Sequence, residues 1–141
     1  MNGRIIFSLF KKLPKEAAHL KTGRWGEKQA EKFLKKAGYK ILGRRVRVGR
    51  HDEIDLIARL DDTMVFVEVK TRKTEKYGRP ASAVNREKRH KLSRAAVSFL
   101  QKRKLRPPYI RFDVIEVIKE PFEIRQIENA FQLEGGYRIW W

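Results

Sequence analysis

Hydrophobic and polar residues change rhythm several times along this chain, and each rhythm predicts an element. The run Thr63-Met64-Val65-Phe66-Val67-Glu68-Val69-Lys70 is apolar and β-branched, then ends in a carboxylate and an amine two positions apart. Strand alternation puts Val65, Val67 and Val69 on one face and Met64, Phe66, Glu68 and Lys70 on the other. Upstream, a helical period starts after Thr22-Gly23 and carries Glu27 to Ala37, with Gly38 as its stop. On a helical wheel Gly26, Ala30, Phe33, Leu34 and Ala37 form one stripe, Glu27 lies at its margin and Glu31 points further out. Residues 1–20 combine a short apolar patch with Lys11, Lys12, Lys15 and Pro14, which reads as an accessory helix or loose arm ahead of a single domain over 21–141.

Tyr39-Lys40-Ile41-Leu42 reads as a short strand or strand entry. Beyond it, Arg45 and Arg47 alternate with Val46 and Val48 as in a half-exposed strand that leads to Gly49-Arg50. Ile54, Leu56 and Ala58 then alternate with Glu53, Asp55 and Ile57, and Asp61-Asp62 supplies a turn into the apolar run. If Leu60 pairs with Thr63 across that turn, Asp55 falls opposite Glu68, and Glu53 opposite Lys70. Directly opposed residues have Cβ atoms about 4.5–5.5 Å apart. Two carboxylates that close repel unless a cation or a proton lies between them, and a hard divalent ion such as Mg²⁺ would satisfy both.

Thr71 to Pro80 is polar, basic and punctuated by glycine and proline, so a mobile loop is expected there, with Arg72 and Lys73 placed to touch phosphate. A second helix is predicted from the N-cap Asn85 to Lys104, stopped by Pro107-Pro108. Its buried stripe is Leu92, Ala95, Ala96, Phe99 and Leu100. Lys88 and Arg89 share that sector one turn earlier, so Lys88 should reach the sheet edge where Lys70 emerges. Ile110–Ile118 is another strand, with Phe112 and Val114 on one face and Asp113, Ile115 and Val117 on the other. Phe122–Ile127 adds an edge strand before a tail that ends in Trp140-Trp141.

Composition narrows the class of partner. Of 141 residues, 34 are Lys or Arg and 17 are Asp or Glu, and the formal net charge of +17 calls for a polyanion. Nucleic acid is the first candidate, while an acidic membrane surface or a ribosome carries the same sign. With no cysteine, disulfides, thiolate metal sites and a cysteine nucleophile are excluded. The apolar stretch Ile5–Phe10 is cut short by Lys11-Lys12, and no run approaches the roughly 18 apolar residues of a membrane span. A cytoplasmic protein without a membrane partner is expected.

Gly26-Glu27-Lys28-Gln29-Ala30, Glu53-Ile54-Asp55-Leu56-Ile57, Val65-Phe66-Val67-Glu68-Val69-Lys70-Thr71-Arg72 and Arg111-Phe112-Asp113-Val114 occur in this order. Together they resemble the PD-(D/E)XK nuclease superfamily. The segment from Gly23 to Ile118 is similar, more closely, to the YraN-like family of uncharacterised proteins, distant relatives of archaeal Holliday-junction resolvases. The resemblance implies an α/β, restriction-endonuclease-like fold with a mixed central sheet flanked by helices. It also implies a Mg²⁺- or Mn²⁺-dependent nuclease acting on DNA, branched or single-stranded, and a homodimer. Asp55 and Glu68 would bind the metal with the Val69 carbonyl, Lys70 would help activate water, and Glu27 would complete the catalytic set. Arg45, Arg47, Arg50, Arg72, Lys73, Lys88 and Arg89 are the expected nucleic-acid contacts. The alternative is a non-catalytic module that binds DNA or RNA on the same fold. No proline precedes Asp55, and His51-Asp52 stand where close relatives often have glycine.

Plainer readings exist for the same residues. Glu68 and Lys70 would suit a surface ion pair, and Glu27 an acid near a helix N-terminus. Lys88 and Arg89 would suit cations lying along apolar surface. For Asp113 a structural role at a strand edge is favoured, and for His51 a solvated loop.

Overall fold

The structure is a computed structural model, and it describes residues 15–74 and 84–136. The expected arm before residue 15, most of the expected loop after Thr74, and the Trp140-Trp141 pair lie outside the described residues. Among the described residues two helices and five strands follow in the order α1 (Lys15–Lys36), β1 (Lys40–Val48), β2 (Asp52–Leu60), β3 (Thr63–Arg72), α2 (Arg86–Arg103), β4 (Tyr109–Ile118) and β5 (Glu123–Phe131). The strands form one sheet in sequence order. Pairing is antiparallel throughout except between β3 and β4, which run parallel. Parallel neighbours need a long crossover, and α2 provides it.

The central strand β3 is apolar on both faces because both are covered. On one side α2 lays Leu92, Ala95, Ala96, Phe99 and Leu100 over Ile57, Met64, Phe66, Phe112 and Phe131. Phe66 meets Phe99 edge-on at 6.2 Å between ring centroids and Phe112 at 5.7 Å, a packing that aromatic quadrupoles favour. On the other side α1 presses Ala30 and Leu34 onto Leu56, Ala58, Val65, Val67, Ile115 and Val117. This is the expected restriction-endonuclease-like α/β arrangement, a mixed central sheet flanked by helices. Among the described residues no helix is long and apolar enough to cross a membrane.

The helix ends follow local chemistry. Gly38 at φ 92° closes α1, with the Tyr39 amide donating to the Leu34 carbonyl, as in a Schellman cap. The Asn85 side chain accepts from the Lys88 amide at 2.8 Å and caps α2. Other elements depart from expectation. Helix α1 already covers Lys15 and runs unbroken through Thr22, Gly23 and Gly26, because burial of its stripe outweighs the poor helix propensity of those residues. Ala37, expected in the stripe, is exposed just past the helix end. The two predicted pieces around Leu42 are one strand, β1, joined through a register shift between Ile41 and Gly43.

Close packing of α1 on the sheet depends on Gly26. A Cβ there would lie 1.8 Å from Thr71 Oγ1 and within 3.2 Å of the Thr71 Cβ and Cγ2. The helix backbone can approach β3 only where the side chain is missing, and that approach places the next residue, Glu27, against the end of the sheet.

Candidate functional site

The β2–β3 hairpin closes in the expected register, Leu60 opposite Thr63, and pairing continues through Arg59–Met64 to Leu56–Val67. There the backbone ladder stops. The Val69 amide donates to the Asp55 carboxylate, Oδ2, at 2.8 Å instead of to a carbonyl of β2. The expected ladder partnerships of Asp55 with Glu68 and of Glu53 with Lys70 therefore do not form. The Asp55 side chain takes the place of the backbone acceptor, and the two strands part.

Side-chain alternation along β2 breaks at the same residue. Leu56 and Ala58 share a face as expected, the one that α1 covers, but Ile54 leaves them and joins Ile57 in the cluster under α2. On the neighbouring strand, Arg44 pairs with Leu56 and Val46 with Ile54, while Arg45 between them takes a left-handed backbone, φ 45°. A twist across Arg45 and Asp55 thus moves the polar side chain out of the regular pleat and into the gap between β2 and β3.

Glu68 extends from the α2 face of β3, the face of Met64 and Phe66. Its side chain is only 11% exposed, and its Oε1 lies 3.4 Å from Lys88 Nζ of α2. Its other oxygen, Oε2, is buried with no hydrogen-bond partner. Burial pushes the Asp55 carboxyl up to about 7, and the Glu68 charge adds to the rise. Glu68 is also raised, chiefly by burial, against the opposing pull of Lys88 and Lys70. Two neighbouring, largely enclosed acids, both made harder to ionise by burial and one of them also by the charge of the other, form a site that a cation or a shared proton would stabilise.

Lys70 lies on the Glu68 face, paired in register with Glu116 of β4. Glu116, which the sequence reading passed over, is buried between Arg72 at 3.3 Å and Arg125 at 3.6 Å. The parity of β4 places it on the Phe112 face, but only the parallel register brings it beside Lys70. Lys73 is exposed just past the end of β3.

Glu27 stands on the α1 side of the sheet. Its Oε2 accepts from Arg45 Nε at 2.7 Å. Both residues, with Arg24, Lys28, Glu31, Arg44, Asp55 and Leu56, line a cleft of about 340 Å³. Asp55 thus lies between two neighbourhoods, Glu68 with Lys70 and Lys88 on one side and Glu27 with Arg45 on the other. Among the described residues no group of three or more His, Asp or Glu side chains is gathered in metal-holding geometry. The donor chemistry still suits a hard divalent cation, since Asp55 and Glu68 offer oxygen and Glu68 Oε2 is orphaned.

The other expected phosphate contacts fall into two kinds. Arg47 and Arg50 are exposed along and beyond β1, with Arg47 3.6 Å from Glu53. Arg89 is built into the fold, donating to Glu134 and to the Val84 carbonyl at 2.6 Å each. Asp113 has the structural role favoured for it. Fully buried, it accepts two bonds from Arg111 at 2.8 Å, one from the Gln126 side chain and one from the Asn129 amide. Arg111 and Gln126 also donate to the Tyr39 hydroxyl, so this knot ties β4 and β5 to the start of β1.

The profile of the uncharacterised protein family UPF0102 matches residues 26–117, a span that contains Glu27, Arg45, Asp55, Glu68, Lys70 and Asp113. The UPF0102 protein of Syntrophus aciditrophicus is 43% identical over 120 residues, 84% of this chain and 94% of that one. The UPF0102 protein of Clostridium acetobutylicum is 44% identical over 117 residues, covering 80% of this chain and 95% of its own. That of Symbiobacterium thermophilum is 45% identical over 114 residues, 79% and 96% of the two chains.

Proposed function

The chain belongs to the uncharacterised family UPF0102, the YraN-like family, and from that premise we propose that it is a cytoplasmic, metal-dependent nuclease-like protein that acts on DNA. The observation that supports this reading is the pair of half-buried carboxylates, Asp55 and Glu68, at the point where β2 and β3 separate, with one Glu68 oxygen buried and without a partner. Mg²⁺ or Mn²⁺ bound there would lower the pKa of water and stabilise charge on the scissile phosphate. Asp55, Glu68 and the Val69 carbonyl are its ligands in this reading. Lys70, half-buried on the Glu68 face, orients the attacking water, and its ammonium adds to stabilisation of the developing charge. Lys88 neutralises Glu68 in the metal-free protein. The net charge of +17 draws in the polyanion.

The test is cleavage of junctions, flaps, single strands and duplex by purified protein with Mg²⁺ or Mn²⁺, beside an Asp55→Ala control. Cleavage that the control loses is expected, and equal cleavage by both proteins removes the assignment. A second reading is a non-catalytic nucleic-acid-binding module. Glu27 favours it, being held by Arg45 on the α1 side rather than joined to the Asp55–Glu68 pair. A binding module would hold DNA or RNA with steep salt dependence, indifferent to Asp55→Ala and Glu68→Ala.

A further inference from the structure

Arg45 has a backbone that its sequence does not call for. A non-glycine residue at φ 45° in the middle of a strand is strained. The strain takes Arg45 out of the β1–β2 ladder, between the pairs Arg44–Leu56 and Val46–Ile54, at the level of Asp55. Its guanidinium is turned to α1, where Nε donates to Glu27 at 2.7 Å on the wall of the cleft that Asp55 also lines. Arg44, its neighbour on that wall, is already held by both oxygens of Glu31. A structural ion pair between β1 and α1 therefore exists without Arg45. Strain kept at such a place is a pointer to function.

We infer that Arg45 is a phosphate ligand held in reserve, carried by Glu27 until a phosphodiester enters the cleft and exchanges the guanidinium off the carboxylate. The chemistry is that of an ion-pair swap. A guanidinium presents parallel donors that match two phosphate oxygens as well as they match a carboxylate. Arg24 and Lys28 line the same cleft from α1 and supply positive potential along the approach. Side-chain exposure of 35% at Arg45 and 21% at Glu27 leaves the pair reachable from solvent. The exchange frees Glu27 to face Asp55, so substrate phosphate and the carboxylate set come together in one event. This rests on the nucleic-acid reading above, but it requires only binding and no cleavage.

The test is fluorescence anisotropy of a short fluorescein-labelled DNA duplex in EDTA over a series of salt concentrations. Arg45→Gly is the truncation of choice, because glycine takes this φ without strain and the fold is kept. It should weaken binding about ten-fold or more, the effect of losing a charge-assisted bond, and lower the salt slope by about 0.9 for one lost phosphate. Arg45→Lys should restore the slope and only part of the affinity. Glu27→Gln should tighten binding several-fold in the native background and leave it unchanged beside Arg45→Gly. Equal tightening in both backgrounds would show simple loss of negative charge and overturn the exchange. So would Arg45→Gly binding with native affinity and slope. If the native protein binds no DNA at all, the nucleic-acid reading falls along with it.

Discussion

Replacing Asp55 with asparagine should stabilise the metal-free protein most at pH 8, and progressively less as the pH falls toward 4. Asparagine keeps an oxygen that can accept the Val69 amide, now bound by Asp55 at 2.8 Å, and it removes the charge that burial and Glu68 oppose. In the folded chain the Asp55 proton is held up to about pH 7, whereas an unfolded aspartate releases it near 3.8. The folded state thus binds more protons across that window, so stability falls as pH rises through it and the full penalty is present above pH 7. At 1.36 kcal/mol per pK unit the penalty is about 4 kcal/mol, and Asp55→Asn removes it. For a chain of this size that corresponds to a rise in Tm on the order of 10 °C at pH 8. Thermal or urea unfolding in EDTA from pH 5 to 8 reads the effect directly. Mg²⁺ added at pH 8 should stabilise the native chain and not the variant. A variant destabilised equally at every pH would refute the reasoning, because the carboxylate would then be an ordinary structural acceptor.

Two further predictions concern the frame around the site. Gly26→Ala should destabilise by about 1–3 kcal/mol in urea unfolding, although alanine is the better helix former, because the new methyl meets Thr71 at its Oγ1, Cβ and Cγ2. Adding Thr71→Ala should recover part of that loss, and recovery of none would place the cost elsewhere. Asp113→Ala should cost about 3–5 kcal/mol, since it leaves Arg111 half-enclosed without its carboxylate. A loss under 1 kcal/mol by the same assay would deny the knot its structural weight.

How far the sequence could be read depends on what each feature rests on. Register across Asp61-Asp62 was legible because a two-residue loop and strict alternation from Val65 to Lys70 leave few choices, and Asp61 accommodates the turn at φ 53°. Helix α2 was legible from the Asn85 cap and its apolar stripe, which the structure buries residue for residue. Extrapolating the ladder beyond Leu56–Val67 failed for a physical reason. A short acid can replace a backbone carbonyl as acceptor, and alternation carries no sign of it. The same twist sent Ile54 to the α2 face against its parity. The reach of Lys88 toward the end of β3 followed from its wheel position, and its contact there is Glu68. The partners of Glu27 and Glu116 were invisible, one because it depends on a left-handed arginine, the other because it depends on a parallel register made through α2.

The central claim is that Asp55 and Glu68 jointly hold a divalent ion. A crystal structure of the protein soaked in Mn²⁺ tests it most directly, since anomalous scattering locates the metal independently of any assay of cleavage. The account predicts one ion ligated by oxygens of both Asp55 and Glu68, at distances near 2.2 Å, with Glu68 Oε2 no longer orphaned. Mn²⁺ absent from the gap between β2 and β3, with Glu68 still held only by Lys88, would contradict it.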